Sequence, residues 1–233
     1  MQAPPHGVLI SQEGREYAIE ESAVAIHDGS GVTMGYVVVF HDVTHSRHLA
    51  HQLNWPASHD ALTGLANRRE FETVMTQLWE SAHTHNKHHA LLYMDLDQFK
   101  IVNDTCGHAA GDELLRQLAA IINTQVREGD SIFRLGGDEF AVLLSGCPVS
   151  QAETIANEIR QSVEAFRFTW EKSSFAIGVS IGLVPIMADS LSLAQILAAA
   201  DAACYTAKEK GRNRVQVYAA SDTEMAMRKG EMQ

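Results

Sequence analysis

The period of apolar and polar positions changes once along this chain. Residues 8–42 alternate, with Tyr36, Val38 and Phe40 on one side of VTMGYVVVFHDVT and Val37 and Val39 on the other, the two-residue period of a strand. GVLISQ, EYAIEESAVAIHD and VTMGYVVVFHDVT, with a GSG turn before the last, predict three antiparallel strands, too few for a stable domain alone. Thr44 can cap a helix running to about Leu53, with Leu49 and Leu53 four apart on one face. That face could meet its copy in a dimer or serve ordinary packing equally well, and Trp55-Pro56 interrupts the helix.

From Asp60 onward helices and strands take turns. The pattern predicts a helix near 67–82, a polar loop HTHNKHH, a strand ALLYMDLD, a helix from Gly111 to about Val126 and a strand SIFRL. A Gly-Gly turn, a strand EFAVLLSG, a helix near 150–166, a strand FAIGVSIGLVP, a helix near 191–209 and a last strand RVQVY follow. One hairpin within βα-like order implies an α/β (α+β) sandwich, a mixed central sheet flanked by helices, rather than a strictly parallel doubly wound one. The tail SDTEMAMRKGEMQ reads as helical and breaks off, as in a fragment of a longer protein.

Composition adds bounds. A chain of 233 residues, 45% hydrophobic and 20% charged, has room for one domain and part of another. A net charge of −11 argues against a protein that tracks nucleic-acid phosphates, which needs a basic face. Cys106, Cys147 and Cys204 lack CxxC spacing, so neither a disulfide framework nor a zinc site is indicated, and a reducing cytoplasm fits. No apolar run is long enough to span a membrane and MQAPPHG is no signal peptide, so no membrane contact is expected of this fragment.

Two acidic clusters carry candidate chemistry. Asp95-Leu96-Asp97 ends an apolar strand, where α/β folds place ligands, and paired acids there suggest a cation. An EF-hand loop is excluded because Phe99 and Lys100 stand where an oxygen ligand and glycine are required. In SIFRLGGDEFAVLL, Gly136-Gly137 marks a hairpin turn leading into Asp138-Glu139. Alone this reads as a polar hairpin tip. Brought beside Asp95, either acid would complete a hard-oxygen site suited to Mg²⁺ shared with phosphates.

DALTGLANRREF, MDLDQFKIVNDTCGHAAGDELL, RLGGDEF, SIGLV and DAACYTAKEKGRNRV occur in this order over roughly residues 58–219. Together they resemble the GGDEF family of diguanylate cyclases, whose fold is related to the nucleotidyl cyclase and polymerase palm. The strands ending in Asp42-Val43-Thr44 resemble the C-terminal half of a PAS sensor domain. The resulting expectation is a partial PAS domain over 1–44, a connecting signalling helix over 45–59, a GGDEF domain over 60–219, and over 220–233 the start of a linker to a further domain.

The resemblance implies condensation of two GTP into cyclic di-GMP with Mg²⁺ (or Mn²⁺), in a homodimer because each domain holds one GTP. It implies that Asp95, the Leu96 carbonyl, Asp138 and Glu139 bind metal, and that Asp95, Asp138 and Glu139 form the catalytic set. Asn103 and Asp112 resemble the guanine readers, and a carboxylate can accept from guanine N1–H and the 2-amino group. The main chain at Phe99 and Lys100, with Lys100 itself, resembles a phosphate cradle. Lys208 and Arg212, expected on one helical face, resemble the pair gripping the terminal phosphates. Gly136 and Gly137 would let the hairpin approach the nucleotide closely.

Arg127-Glu128-Gly129-Asp130 fits the family's RxxD pattern, implying an inhibitory site for cyclic di-GMP at Arg127 and Asp130. The tract HTHNKHH reads as a solvated loop rather than a metal site, and His108 as structural. Cys106 and Cys204 replace residues often Phe and Leu in the family, implying slightly looser packing. An alternative reading is a catalytically idle module that binds GTP or cyclic di-GMP and controls a neighbouring EAL phosphodiesterase domain; a pure dimerisation or signal-relay piece is a third. The expected location is the cytoplasm, whether or not the parent is anchored upstream.

Overall fold

The computed structural model of the protein describes residues 6–45, 55, 57–189 and 192–218. The chain forms two units, Met1–Ala57 and Ser58–Gln233. In the first, β1 (His6–Ile10), β2 (Glu16–His27) and β3 (Thr33–Asp42) make an antiparallel sheet in that order. Register partners Val24 and Val37 are exposed on one face, and Tyr36, Val38 and Phe40 on the other. The helix expected from Thr44 to Leu53 falls mostly outside the described residues, as does the tail from 219.

The second unit is built on a five-stranded mixed sheet in the order β10-β9-β4-β6-β5. These strands are β4 (His89–Asp97), β5 (Ser131–Gly136), β6 (Glu139–Leu144), β9 (Gly178–Ile186) and β10 (Val215–Val217). β4 lies at the centre, antiparallel to both β6 and β9, and β10 runs parallel to β9. Central position explains its composition: both faces are covered, so HALLYMDLD is a near-continuous apolar run rather than an alternating one.

Among the described residues five helices cover the faces: α1 (Arg68–His85), α2 (Phe99–Cys106), α3 (His108–Asn123), α4 (Val149–Ala165) and α5 (Leu193–Glu209). Ala90, Leu92, Met94 and Leu96 of β4 pack with Val102, Leu114, Leu118 and Ile159 from α2, α3 and α4. Leu91 packs on the opposite face with Phe71 and Met75 of α1 and Ile196 and Ala200 of α5. The two-residue period of β4 thus divides the core into two. On β9, a Cβ at Gly182 would collide with the Ala200 carbonyl and the Cys204 amide, so only glycine lets α5 settle this close to the sheet.

Several boundaries differ from the sequence expectation. α1 is capped by Asn67, whose side chain accepts from Glu70 N–H, and continues to His85, leaving a short turn where a histidine loop is expected. His89 is not solvated: it opens β4, is buried, and its Nδ1 lies 3.1 Å from the Gly146 N–H donor. The helix expected from Gly111 begins earlier, at His108, and ends at Asn123, and a separate short helix, Phe99–Cys106, precedes it, the two meeting at Gly107 with φ 82°. FAIGVSIGLVP divides between β9 and a separate hairpin, β7 (Arg167–Trp170) with β8 (Ser173–Ala176), anchored by buried Phe168.

Candidate active site

One end of β4 gathers the acids. Asp95 pairs in register with Glu139 of β6 and with Ser180 of β9. Gly136 and Gly137 take φ 144° and 53°, values that L side chains rarely adopt, and so turn β5 into β6 within two residues. The turn is held back onto β4 by Leu96 N–H donating to the Asp138 carbonyl at 3.2 Å. The Leu96 side chain is buried in the core, which leaves only its main chain for the site.

Arg134 fixes the hairpin from below. Its Nε and Nη2 donate to the Gly137 carbonyl at 3.0 and 2.8 Å, while Nη1 reaches both Asp60 oxygens at 2.9 and 3.1 Å. Asp60 also accepts from the Thr63 N–H and hydroxyl at 2.9 and 2.7 Å. Burial opposes ionisation of Asp60, but Thr63 and Arg134 together hold its carboxyl below the usual value. These residues lie in DALTGLANRREF and RLGGDEF, yet only the fold brings the two segments together.

Glu139 has its own partners. Arg68 Nη2 stands 3.4 Å from Oε2 and Arg68 Nε donates to the Leu135 carbonyl at 3.1 Å. Burial first, then the interaction with the Glu139 carboxylate, push the Tyr93 hydroxyl well above its ordinary range. The two-residue spacing of Tyr93 and Asp95 on one strand is the signal that could have placed Tyr93 here.

Lys208, near the end of α5, puts Nζ 2.7 Å from Asp95 Oδ2, with the two side chains 34% and 17% exposed. Burial, with Asp138 and Asp97 adding repulsion, pushes the Asp95 carboxyl up against the pull of Lys208. At Lys208 the balance reverses: burial lowers its value, but the pairing with Asp95 prevails and raises it. Arg212 does not share a helical face with Lys208, contrary to the sequence expectation. α5 ends at Glu209, and Arg212 lies beyond it with φ 60°, exposed.

Among the described residues no three acids, histidines or cysteines converge closely enough to hold an ion unaided. The donor chemistry still fits Mg²⁺, which prefers oxygen and is commonly held by one or two carboxylates with substrate phosphates completing its shell. In this arrangement the Lys208 ammonium supplies the positive charge beside Asp95.

A second group of expected residues sits on α2 and α3. Gln98, with φ 63°, starts α2 without a side-chain cap, so the first-turn N–H groups at Phe99 and Lys100 are offered to a ligand. Asn103 Oδ1 is buried and has no hydrogen-bond partner, which is costly unless something completes it. Asn103 lies against Gly111, where a Cβ would collide with Oδ1 and come within 3.2 Å of the Phe99 ring. Exposed Asp112 follows directly. Sequence reading passes over Gly111; its space is defined only by the meeting of two helices.

Arg127 and Asp130 are brought together elsewhere. Arg127 Nη2 donates to the Ser145 carbonyl at 2.6 Å, and the Asp130 side chain, 1% exposed, lies 3.3 Å from Arg127 Nε and accepts from Ser145 N–H at 3.1 Å. Ser145 follows the far end of β6 from Glu139, about 20 Å along the strand at ~3.4 Å per residue. Of the cysteines, Cys204 is buried beneath the site, donating to the Ser180 carbonyl at 3.3 Å, with burial pushing its thiol up to about 12.

Comparison with known proteins places this geometry. The family model described as "Diguanylate cyclase, GGDEF domain" matches residues 57–214. The probable diguanylate cyclase DgcE of Escherichia coli is 43% identical over 211 residues, 91% of this chain and 19% of that protein. The cyclic di-GMP phosphodiesterase PdeB of Shewanella oneidensis is 32% identical over 207 residues, 89% of this chain and 24% of that one. The chain therefore spans about a quarter or less of the length of these two relatives. Among solved structures, the coiled coil and GGDEF domain of DgcB from Caulobacter crescentus, in complex with c-di-GMP, is similar with a TM-score of 0.70. It is 31% identical, with 75% of this chain and 93% of that one covered. The GGDEF domain of TpbB (YfiN) from Pseudomonas aeruginosa gives 0.69 at 36% identity, over 72% and 99%.

Proposed function

Since the chain belongs to the GGDEF family of diguanylate cyclases, we propose that it condenses two GTP into cyclic di-GMP. In each of two steps a ribose 3′-hydroxyl attacks the α-phosphorus of the other GTP, a 3′–5′ phosphodiester forms, and pyrophosphate leaves. The observation that carries this reading is the convergence of Asp95, Asp138 and Glu139 with Lys208 at one end of the sheet.

In this reading Asp95, Asp138, Glu139 and the Leu96 carbonyl hold Mg²⁺ or Mn²⁺. Bound metal would neutralise charge on the attacking and leaving oxygens. Asn103 and Asp112 read guanine, and the orphaned Asn103 Oδ1 gains its missing partner. The first turn of α2 with Lys100, and Lys208 with Arg212, bind phosphates; Lys208 would exchange Asp95 for them. Glu139, oriented by Arg68 and Tyr93, supports the attacking hydroxyl. One domain holds one GTP, so turnover requires a homodimer. Arg127 and Asp130 form the inhibitory site for product, provided Arg127 releases the Ser145 carbonyl.

Among the described residues no helix is long and apolar enough to cross a membrane. We assign the domain to the cytoplasm, where GTP is available. The test is turnover: protein with GTP and Mg²⁺, dimerised by a fused coiled coil, should yield cyclic di-GMP by chromatography, and Glu139→Gln should abolish it while GTP binding persists. Wild-type protein that binds GTP without product in that format would favour a second reading, supported by the similarity to PdeB. In it the domain is a nucleotide-binding regulatory module beside a phosphodiesterase domain.

A further inference from the structure

The two acids of Asp95-Leu96-Asp97 look equivalent in sequence, but the fold gives them different surroundings. Asp95 meets Lys208, whereas the Asp97 carboxylate is buried, with 6% of the residue exposed, and both its oxygens are taken. Oδ1 accepts from the Ser180 hydroxyl at 2.8 Å and Oδ2 from the Asn213 main-chain N–H at 2.9 Å. The register partner of Asp97 is Gly178, where a Cβ would stand 3.0 Å from Oδ2 and 3.2 Å from Asn213 Cβ. A side chain at position 178 would therefore press on both partners of the contact between carboxylate and loop.

The loop held in this way is strained. Arg212 and Asn213 have φ 60° and 45°, a left-handed conformation that asparagine tolerates but arginine rarely adopts unless its surroundings impose it. Arg212 N–H donates to the Ala207 carbonyl at 3.1 Å, and the chain enters the sheet when Ile181 N–H donates to the Arg214 carbonyl at 2.9 Å. Between these anchors, the Asp97 carboxylate is the acceptor that secures the Asn213 N–H, with the added strength of a charged acceptor.

We propose that Asp97 is a positioning residue: by binding the Asn213 N–H it holds the left-handed turn that presents Arg212 to the nucleotide's terminal phosphates. The inference rests on the proposed assignment of Arg212 as a phosphate ligand. It gives the second acid of the motif a task other than metal binding, and it gives Gly178 a reason to be glycine.

The experiment measures binding of 3′-deoxy-GTP, which lacks the attacking hydroxyl and cannot turn over, and of GMP, which lacks the terminal phosphates, by calorimetry with Mg²⁺ present. Asp97→Ala should lower the GTP-analogue affinity about tenfold, as for loss of one charge-assisted contact, while GMP binding holds. Arg212→Ala should do the same, and the double variant should lose little more than either single one. Asp97→Asn should retain binding: its amide oxygen can accept from Asn213 N–H and its amide N–H can donate to Ser180 Oγ. If Asp97→Ala does not fold, Gly178→Ala displaces the same contact more mildly and should reduce the ratio of analogue to GMP affinity.

An unchanged ratio in Arg212→Ala would remove the arginine from the site and overturn the assignment beneath the inference. A reduced ratio in Arg212→Ala with an unchanged one in Asp97→Ala or Gly178→Ala would overturn the inference alone. So would losses that simply add in the double variant, or failure of Asp97→Asn to retain binding.

Discussion

Replacing Arg134 by alanine tests whether the acidic hairpin is placed by the segment that precedes α1. The Arg134 side chain is 11% exposed and that of Asp60 24%. Removing the guanidinium leaves the Asp60 carboxylate with Thr63 alone and frees the Gly137 carbonyl, which receives two of its bonds at 2.8 and 3.0 Å. Exposed ion pairs contribute about 0–1 kcal/mol, and breaking a buried one costs about 3–5 kcal/mol. This partly exposed fork falls between, so Arg134→Ala should destabilise the domain by about 2–4 kcal/mol. For a domain of this size ~1 kcal/mol shifts the melting temperature by about 2–4 °C, giving a fall of roughly 4–16 °C by circular dichroism. Arg134→Lys should recover only part of it, because one ammonium cannot span the two acceptors as the fork does. Turnover should fall further than the folded fraction, since Glu139 starts two residues beyond the freed carbonyl. A loss below about 1 kcal/mol, or turnover that merely follows the folded fraction, would refute the reasoning.

Because its partners hold the Asp60 carboxyl below its ordinary 3.8, the stability that wild type gains over Asp60→Asn should be full above about pH 4 and shrink as acid titrates the folded carboxyl; urea melts at stepped pH would measure it. A difference that grows in acid would contradict the assigned ion pair. Gly111→Ala should press on the Asn103 amide and weaken GTP binding by about tenfold, near the value of one hydrogen bond to a buried partner. Its far-ultraviolet spectrum should keep the helical content of α2 and α3. Arg127→Ala should leave initial turnover intact while removing inhibition by added cyclic di-GMP, seen as progress curves that no longer bend.

The sequence reading reached the alternation of helix and strand because β4, α3 and α5 are strongly patterned. It missed β7 and β8 because that hairpin is only partly buried and turns at Glu171, whose φ of 50° no residue type announces. The acids of the site were legible as a motif, since each occupies a short contiguous block. Their partners were not: Arg68 meets Glu139 across 71 positions of chain, Asp60 meets Arg134 across 74, and Asp97 meets Asn213 across 116. Periodicity carries no signal at such separations. The helical face expected for Lys208 and Arg212 failed for a related reason, because the spacing of four holds only while the helix lasts, and α5 ends at Glu209.

These long-range contacts also explain how one end of a sheet tolerates so many carboxylates. Asp95, Asp97, Asp138 and Glu139 come together there on neighbouring strands and a tight turn, and like charges at such separations repel. The chain answers three of them, with Lys208 on Asp95, Arg68 and the Tyr93 hydroxyl beside Glu139, and Ser180 with the Asn213 N–H on Asp97. These answers differ in strength. The Asp97 contacts are buried and satisfied, so that acid is fixed; the Lys208 and Arg68 side chains are 34% and 56% exposed, so their pairs are only weakly held. Asp95 and Glu139, assigned to the metal, are thus acids whose cationic partners can leave, and the acid assigned to positioning is the one whose partners cannot.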